Sequence, residues 1–201
     1  FFETRKMKFP FKTFHNFELK KKNFENKNFN KKIETKKTIA NTFYDINSKE
    51  CIDKIKSINP KIIIVFGTGK INKDFIKNFK NKIFNLHGGD PSLYRGLDSH
   101  LWGIYHNDFN FVVTLHKLKL KLDTGDVVYK KVIKIKKIQI WQIRYFTTLA
   151  CIDLVSKLIK NFRNNIKYPL IKQIKIGRYY SSMPSNLKEI CCKKMKSYNA
   201  S

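Results

Sequence analysis

Residues 61–87 read KIIIVFGTGKINKDFIKNFKNKIFNLH, and their pattern predicts a strand, a helix and a second strand. The run IIIVF is continuously apolar and is closed by glycines, which is typical of a strand buried on both faces of a parallel sheet. The segment NKDFIKNFKNK places Phe75, Ile76 and Phe79 on one helical face, and IFNLH supplies the next strand. This βαβ unit predicts an open α/β sheet whose ligands bind at the carboxyl ends of the strands.

The flanking segments continue the α/β pattern. Upstream, IANTFYD is a candidate for a short strand, and NSKECIDKIKSIN predicts a capped helix that buries Cys51, Ile55 and Ile58 and ends at Pro60. Downstream, DSHLWGIYH predicts a helix with Asp98 as its N-cap, and both FNFVVTLHKL and DVVYKKVIKIKK predict strands.

The pattern divides the chain into three segments. Residues 1–37 are rich in lysine and show no steady apolar period, so we expect no more than partial helix there. Residues 38–166 form the expected core, and residues 167–201 a loop-like tail. The longest predicted helix spans residues 140–162 and is expected to bury Phe146, Leu149, Ile152, Val155 and Ile159.

The composition is that of a globular and strongly basic protein. With 201 residues, of which 42% are hydrophobic, the chain can bury one core. The net charge is +27, but only five of the 42 basic residues are Arg, which is the preferred residue for bidentate phosphate contacts. We therefore favour a diffuse, solvated charge over a dedicated surface for RNA.

The four cysteines show neither a CxxC motif nor paired histidine spacing, so no zinc site or disulfide framework is indicated. This favours a reduced, cytoplasmic setting. The apolar run IIIVF is too short to span a bilayer. The chain begins at Phe1 without a methionine, and we expect it to be a fragment.

Polar side chains follow both strands of the βαβ unit. Asn85 and His87 alternate with apolar residues in IFNLH, so they leave the strand on the same face and either cap their own turn or face a ligand. The GTG of residues 67–69 is half of a dinucleotide fingerprint, and it permits either a tight turn or close approach of a ligand.

Other candidates are weaker when taken alone. Asp123 in LDTGD fits a turn residue, since Asp commonly stabilises turns. His100, His106 and His116 lack polar company in the sequence, and each is expected to be a surface residue or a satisfied core residue.

The combined spacing is more specific than its parts. N-x-H at a strand end, Y-R-G seven to nine positions after the His, and D-T-G-D starting 38 positions beyond the Asn resemble the folate-dependent formyltransferase family. That family includes the methionyl-tRNA, glycinamide ribonucleotide and amino-sugar formyltransferases. The resemblance covers roughly residues 39–162 and implies a Rossmann-like open sheet. Residues 1–37 offer no counterpart of the family's first strands, so we expect part of the N-terminal strands to be lacking.

The resemblance also implies roles for individual residues. It makes Asn85, His87 and Asp123 the catalytic residues. It places the donor 10-formyltetrahydrofolate against Phe66, Gly67, Thr68, Gly69, Leu122, Thr124, Gly125 and Asp126. It assigns the loop near the acceptor substrate to Gly88, Gly89, Tyr94, Arg95 and Gly96. It implies no metal.

These residue types suit formyl transfer to an amine. Attack on the formyl carbon places negative charge on the formyl oxygen, and donors aimed at that oxygen stabilise the transition state. The Asn85 amide and a protonated His87 can donate to it. Asp123 would keep His87 charged and draw the amine proton through a water.

The identity of the acceptor stays open at this point. The loop reads HGGDPS where many members of the family have H-P-S-L-L-P, so the loop does not identify the acceptor. We favour a small or nucleotide-linked amine such as an amino sugar. Methionyl-tRNA is the first alternative, supported by the charge of +27, and hydrolysis of formyl-folate by the same fold is another. An idle fold that binds RNA is disfavoured, because it has no physical need for all three catalytic residues.

Overall fold

The computed structural model describes residues 2–3, 15–29 and 41–201. The helices are α1 (His15–Phe29), α2 (Lys49–Ile58), α3 (Lys73–Asn78), α4 (Ser99–Tyr105), α5 (Ile143–Arg163) and α6 (Ser185–Ala200). The strands are β1 (Phe2–Glu3), β2 (Thr42–Phe43), β3 (Ile63–Val65), β4 (Ile83–His87), β5 (Tyr94–Gly96), β6 (Phe111–Lys117), β7 (Val127–Ile133) and β8 (Arg178–Tyr180). A 3-10 turn, Ile140–Gln142, leads into α5.

The central sheet has four strands in the order β3-β4-β6-β7. β3 and β4 are parallel and are joined through α3, which confirms the predicted βαβ unit. β6 and β7 continue the sheet in antiparallel pairing. Two short parallel pairs, β1 with β2 and β5 with β8, lie outside it. The result is the expected open α/β sheet.

Helices cover both faces of the sheet. On one face, Val65 of β3 joins a core with α2 and α3, where Cys51 and Phe75 are fully buried. On the other face, Phe84 of β4 joins a core with α5, in which Leu158 is fully buried. Alternate side chains of each strand therefore pack into two different cores, one on each face of the sheet. The apolar run before GTG predicted this burial of both faces.

Local signals set the ends of α2. The Ser48 side chain accepts a hydrogen bond from the Cys51 N–H at 3.2 Å, and Asn59 ends the helix in the left-handed conformation. The expectation that Ile58 is buried with Cys51 and Ile55 is wrong, because Ile58 is the last helical residue and is 51% exposed.

The predicted buried face of α5 is only partly correct. Leu149, Ile152 and Ile159 are exposed by 37%, 53% and 38%, whereas Phe146 and Val155 are half-buried. The side chains that pack on the sheet are Ala150, Cys151, Leu154 and Leu158, with Val155 beside them, and Ile143 belongs to the core with α4 and α6. α5 carries apolar residues around most of its circumference, so periodicity does not select one face. Small residues at the contact let the helix pack closely on β6 and β7.

The tail is not loop-like throughout. β8 pairs with β5, and α6 packs on α4 with Cys191 and Met195 buried in a third core. That core also contains Phe17 of α1, so a helix lies within the segment for which little structure was expected. The rest of residues 1–37, apart from Phe2–Glu3, lies outside the described residues. Among the described helices, none is long and apolar enough to cross a membrane.

Candidate active site

Asn85, His87 and Asp123 meet at the carboxyl end of β4. The Asn85 amide nitrogen donates to Asp123 Oδ1 at 3.2 Å, and His87 Nδ1 lies 3.6 Å from Asp123 Oδ2. His87 and Asp123 are only 5% and 8% exposed. The structure thus brings the three predicted catalytic residues into one polar cluster beneath the sheet edge.

Asp123 is held by its backbone and its partners. Its φ of 54° is left-handed, a conformation that Asp tolerates better than most residues. Burial by itself would raise the pKa of the Asp123 carboxyl. The contacts to His116 and His87 and the hydrogen bond from the Gly96 N–H, at 2.8 Å to Oδ2, outweigh burial and lower the pKa below its ordinary value. Asp123 is therefore ionised near neutral pH.

His87 is neutral near pH 7 in this structure. Burial lowers the pKa of His87 below its ordinary value of 6.5, and the Asp123 carboxylate and the Tyr94 carbonyl oppose this only in part. His87 Nε2 donates to the Tyr94 carbonyl oxygen at 2.8 Å, because that oxygen can only accept. The expectation that Asp123 keeps His87 protonated is therefore corrected. The Asp123 carboxylate instead lies beside the unprotonated His87 Nδ1 and can form an ion pair with the ring once Nδ1 accepts a proton.

His116 joins the cluster, although the sequence had predicted only a surface or core role. It is fully buried, and the register of β4 and β6 places it directly opposite Asn85. Its Nε2 lies 3.1 Å from the Asn85 amide nitrogen and 3.5 Å from Asp123 Oδ1. One signal was present in the sequence: Thr114 and His116 put two polar side chains on one face of an apolar strand.

The His116 ring fixes the orientation of the Asn85 amide. His116 Nδ1 donates to the Lys117 carbonyl at 2.8 Å, which fixes the ring. The Asn85 amide nitrogen then lies 3.1 Å from His116 Nε2 and donates to Asp123 Oδ1 at 3.2 Å. The amide group of Asn85 is therefore held from two sides.

Two long side chains hold the turn that carries Asp123. Arg95 donates through Nη1 to the Leu122 carbonyl at 3.0 Å, and Gln173 Nε2 donates to the carbonyls of Asp123, at 3.1 Å, and Gly125. Arg95 also donates through Nε to Gly177 at 2.7 Å. The segment after residue 167, predicted as a loop-like tail, thus contributes a contact to the site.

The glycines near the site differ in whether the structure leaves room for a side chain. A methyl group on Gly125 would lie 1.6 Å from the Lys117 carbonyl oxygen, so close approach of two backbones requires glycine there. Gly96 combines a φ of 91° with the Tyr180 carbonyl at 2.2 Å from the same hypothetical methyl. Gly89 packs on Ser99, whereas Gly88 has no atom within 4 Å of that position.

The remaining predicted positions lie around the cluster. Phe66 to Gly69 follow β3, one strand away from Asn85, and the Phe66 side chain is 54% exposed. Gly67 turns the chain with a φ of 63°. On the later loop, Thr124 donates to the Lys121 carbonyl at 2.8 Å and Asp126 pairs with Lys119 at 2.9 Å. The side chains of Thr124 and Asp126 are thus bound within the protein.

Comparison with known proteins agrees with this geometry. A family model described as formyl transferase matches residues 13–140. A methionyl-tRNA formyltransferase from Finegoldia magna is 30% identical over 121 residues, which are 59% of this chain and 39% of that protein. The bifunctional polymyxin resistance protein ArnA from Wigglesworthia glossinidia brevipalpis is 34% identical over 94 residues, 46% of this chain and 14% of that protein.

Solved structures show the same fold. The formyltransferase PseJ from Anoxybacillus kamchatkensis aligns with a TM-score of 0.60 at 22% identity, over 74% of this chain and 77% of that one. HypX from Aquifex aeolicus, in complex with tetrahydrofolic acid, gives a TM-score of 0.58 at 20% identity, over 74% and 27%.

The family match begins at residue 13, upstream of the segment over which the sequence motifs were read, and spans most of the chain. The chain covers 39% and 40% of the length of two methionyl-tRNA formyltransferases that it matches. The resemblance carried by N-x-H, Y-R-G and D-T-G-D is confirmed. The chain belongs to the formyl transferase family.

Proposed function

We propose that this protein transfers a formyl group from 10-formyltetrahydrofolate to the amine of a small or nucleotide-linked acceptor, with an amino sugar favoured. The observation that supports it most directly is that both Asn85, at 3.2 Å, and His87, at 3.6 Å, contact the Asp123 carboxylate in a chain of this family. A donor amide, an imidazole and a buried carboxylate are the groups that acyl transfer to an amine requires.

Asn85 supplies the donor for the formyl oxygen. Its two N–H groups face His116 and Asp123 at 3.1 and 3.2 Å. The contact to Asp123 is the longer of the two and is the one that a developing negative oxygen can replace. His116 keeps the amide plane in place during that exchange, so the donor needs no reorganisation.

His87 and Asp123 take up the proton that the amine releases. His87 is neutral, with Nδ1 turned toward the Asp123 carboxylate at 3.6 Å. A proton that arrives between these two atoms forms an imidazolium that is paired with a carboxylate on one side and with the Tyr94 carbonyl on the other. The pair therefore acts as one proton acceptor.

The residues at the sheet edge fit a folate donor. Phe66 and Leu122 keep apolar side chains exposed by 54% and 38% on the two loops that flank the cluster, a surface on which a flat ring can pack. The Gln173 Oε1 atom is buried beside the Asp123 turn and has no hydrogen-bond partner within residues 41–201 or the other described segments. When bound, the donor supplies the formyl carbon on a nitrogen that can leave.

An amino-sugar acceptor is favoured because a structural neighbour, the formyltransferase PseJ, was solved in complex with a UDP-linked formamido sugar and tetrahydrofolate. Methionyl-tRNA is the second candidate, because several relatives carry that activity in their names and the net charge is +27.

The test incubates the protein with 10-formyltetrahydrofolate and, separately, with a UDP-linked 4-amino sugar, initiator methionyl-tRNA or buffer alone. We expect formylated sugar together with tetrahydrofolate release. Formylated tRNA alone would move the assignment to the second candidate, and formate release without any amine would identify a hydrolase. Calorimetry with a folate analogue and with NAD is the matched binding control. Tighter binding of NAD would contradict the proposed donor.

A further inference from the structure

The short strand β5 contacts both members of the His87–Asp123 pair. The Tyr94 carbonyl oxygen accepts the hydrogen bond from His87 Nε2 at 2.8 Å, and the Gly96 N–H donates to Asp123 Oδ2, also at 2.8 Å. Oδ2 is the same oxygen that lies 3.6 Å from His87 Nδ1. The relative position of β5 and the Asp123 turn therefore decides how far the imidazole is from the carboxylate.

Arg95, which lies between Tyr94 and Gly96, binds the Asp123 turn through its side chain. Its Nη1 donates to the carbonyl oxygen of Leu122, the residue that precedes Asp123, at 3.0 Å. Two connections thus run from β5 to the turn. The Gly96 N–H orients the Asp123 carboxylate, and the Arg95 guanidinium fixes the backbone from which that carboxylate extends.

The Asp123 turn needs this support because of its backbone conformation. Asp123 has a φ of 54°, and a residue other than glycine keeps such a left-handed conformation only where surrounding contacts hold it. Arg95 holds the carbonyl before Asp123, and Gln173 holds the carbonyls of Asp123 and Gly125. A turn that relaxed to negative φ would re-aim the side chain and carry the carboxylate away from His87.

A guanidinium suits this role because it joins two segments at once. While Nη1 of Arg95 binds the Leu122 carbonyl, Nε donates to the Gly177 carbonyl oxygen at 2.7 Å. The donors of a guanidinium occupy fixed directions in one plane, so two such bonds fix the whole group. Both acceptors are neutral carbonyl oxygens, and the guanidinium therefore supplies geometry here rather than charge pairing.

Gly177 gives Arg95 a rigid anchor. It directly precedes β8, the strand that pairs with β5. Its N–H donates to the Pro91 carbonyl oxygen at 2.9 Å, and a methyl group on Gly177 would lie 2.4 Å from the Leu93 carbonyl carbon. Such close packing leaves the Gly177 carbonyl little freedom. Arg95 is thus held at Nε and can hold the turn with Nη1.

We propose that Arg95 is a positioning residue that sets the distance between the His87 ring and the Asp123 carboxylate by holding the Leu122 carbonyl against β5. Because the ring and the carboxylate act together as a proton acceptor, this distance governs how well a protonated His87 is stabilised. The consequence for turnover rests on the proposed function. The distance itself is a property of the fold and can be probed without turnover.

The test compares Arg95→Lys and Arg95→Gln with the wild type. Lys retains the charge but cannot bind two carbonyls in different fixed directions, and Gln loses the charge as well. We expect both variants to lower kcat about 10- to 100-fold, since a small displacement of a catalytic group costs about that much, while KM for the folate donor changes less than about threefold. Arg178→Lys, at an exposed position of the neighbouring strand β8, is the matched control and should keep the wild-type kcat.

Two further measurements separate positioning from a general structural role. Asp123→Asn removes the carboxylate, so Arg95→Lys should cost little additional turnover in that background. The second measurement is titration of the His87 ring by NMR. The Asp123 carboxylate raises the pKa of His87, and the ring stays bound to β5 through Tyr94, so the midpoint in Arg95→Lys should move to lower pH, toward that of Asp123→Asn.

Three outcomes would overturn the proposal, with thermal melting showing that the variants are folded. They are a wild-type kcat in Arg95→Lys, an unchanged or raised His87 midpoint in that variant, and equal losses of turnover with and without the Asp123 carboxylate. Asp90 and His116, which also act on the pKa of His87, are the same in every sample. The titration can be read even if no amine is formylated, so a lowered midpoint would support the role of Arg95 while the proposed reaction fails.

Discussion

The Asn85 amide nitrogen lies 3.1 Å from His116 Nε2, because antiparallel pairing of β4 and β6 sets these two residues opposite each other. His116 is fully buried, and its Nε2 contacts both Asn85 and Asp123. We therefore expect it to be a positioning residue that holds the Asn85 amide and the Asp123 carboxylate in place.

Replacing His116 by Leu should lower kcat about 10- to 100-fold, since small displacements of a catalytic group cost about that much. KM for the folate donor should change little. The loss of buried hydrogen bonds should also reduce the free energy of unfolding by about 1–3 kcal/mol. Tyr129→Phe, which removes a hydrogen bond to Asn161 on the other side of the sheet, is the control for stability. Equal turnover per folded molecule in both variants would contradict the positioning role.

His87→Gln tests whether the imidazole of His87 takes part in catalysis. Gln retains a neutral donor that can replace Nε2 toward the Tyr94 carbonyl, so the fold should survive, while turnover should fall about 10²- to 10⁴-fold, the usual contribution of a side chain that accepts a proton in the transition state. The control is His106→Gln, because His106 also bonds within the protein, to the Tyr180 hydroxyl at 3.1 Å, but lies outside the cluster. A melting temperature far below that of the wild type with unchanged turnover would make His87 structural.

The pattern of the sequence was sufficient for the βαβ unit, whereas the convergence of Asn85 with Asp123 was predicted from the resemblance to the formyltransferase family. Strand alternation fixes the face of Asn85, but Asp123 taken alone predicts only a turn. His116 could not be assigned in the same way, because its role depends on the register between β4 and β6. Register is set by the whole sheet rather than by the residues around His116.

The errors in the C-terminal part have a related cause. The segment that contains Cys191 and Met195 repeats apolar residues at helical spacing, but abundant lysine weakens that signal. The face of α5 was misassigned because Ala150 and Cys151 contact the sheet, and small residues add little to an apolar pattern. Tertiary packing, which no local window contains, decides such cases.

The pH dependence follows from the direction of two shifts. The pKa of His87 is lowered from 6.5, so the neutral ring persists below that pH and activity should be flat from pH 6.5 to 8. Activity should decrease only below pH 6.5, where the His87 ring begins to be protonated. The contribution of His87 to the free energy of unfolding is fully present above pH 6.5 and decreases as the pH falls. Below pH 6.5 the His87 ring is protonated more readily in the unfolded chain than in the native chain, which favours unfolding. The Asp123 contribution is lost only below its ordinary pKa of 3.8.

Titration of the His87 ring by NMR is the measurement, with Asp123→Asn as the comparison. The Asp123 carboxylate raises the pKa of His87, so the variant should titrate at still lower pH than the wild type. A wild-type midpoint above pH 7 would show that the carboxylate outweighs burial and that His87 is charged at rest.

Gln173 should matter because it holds the turn of Asp123 from the segment after α5. Gln173→Ala removes hydrogen bonds to the Asp123 and Gly125 carbonyls, and we expect about 1–3 kcal/mol less stability and a weaker affinity for tetrahydrofolate. Gln173→Glu should be worse, because a carboxylate would face two carbonyl oxygens. Lys172→Ala, at the exposed neighbouring position, is the control. Unchanged folate affinity in Gln173→Glu would exclude this role.

Gly125 and Gly88 form a matched pair that separates folding from substrate approach. In Gly125→Ala the new methyl would lie 1.6 Å from the Lys117 carbonyl oxygen, so β6 and the loop must move apart, and we expect a loss of about 3 kcal/mol in the free energy of unfolding. In Gly88→Ala the methyl meets no atom within 4 Å, so stability should change by less than about 0.5 kcal/mol.

Turnover completes the comparison of these two variants. Gly88 directly follows His87, and the open space beside it is where the acceptor amine is expected to approach. Gly88→Ala should therefore raise KM for the acceptor about tenfold while KM for the folate donor stays unchanged, since a single methyl group fills the approach path of one substrate only. Chemical denaturation and steady-state kinetics on the same preparations provide both readouts. An unchanged acceptor KM in a normally stable Gly88→Ala protein would place the acceptor elsewhere on the sheet edge.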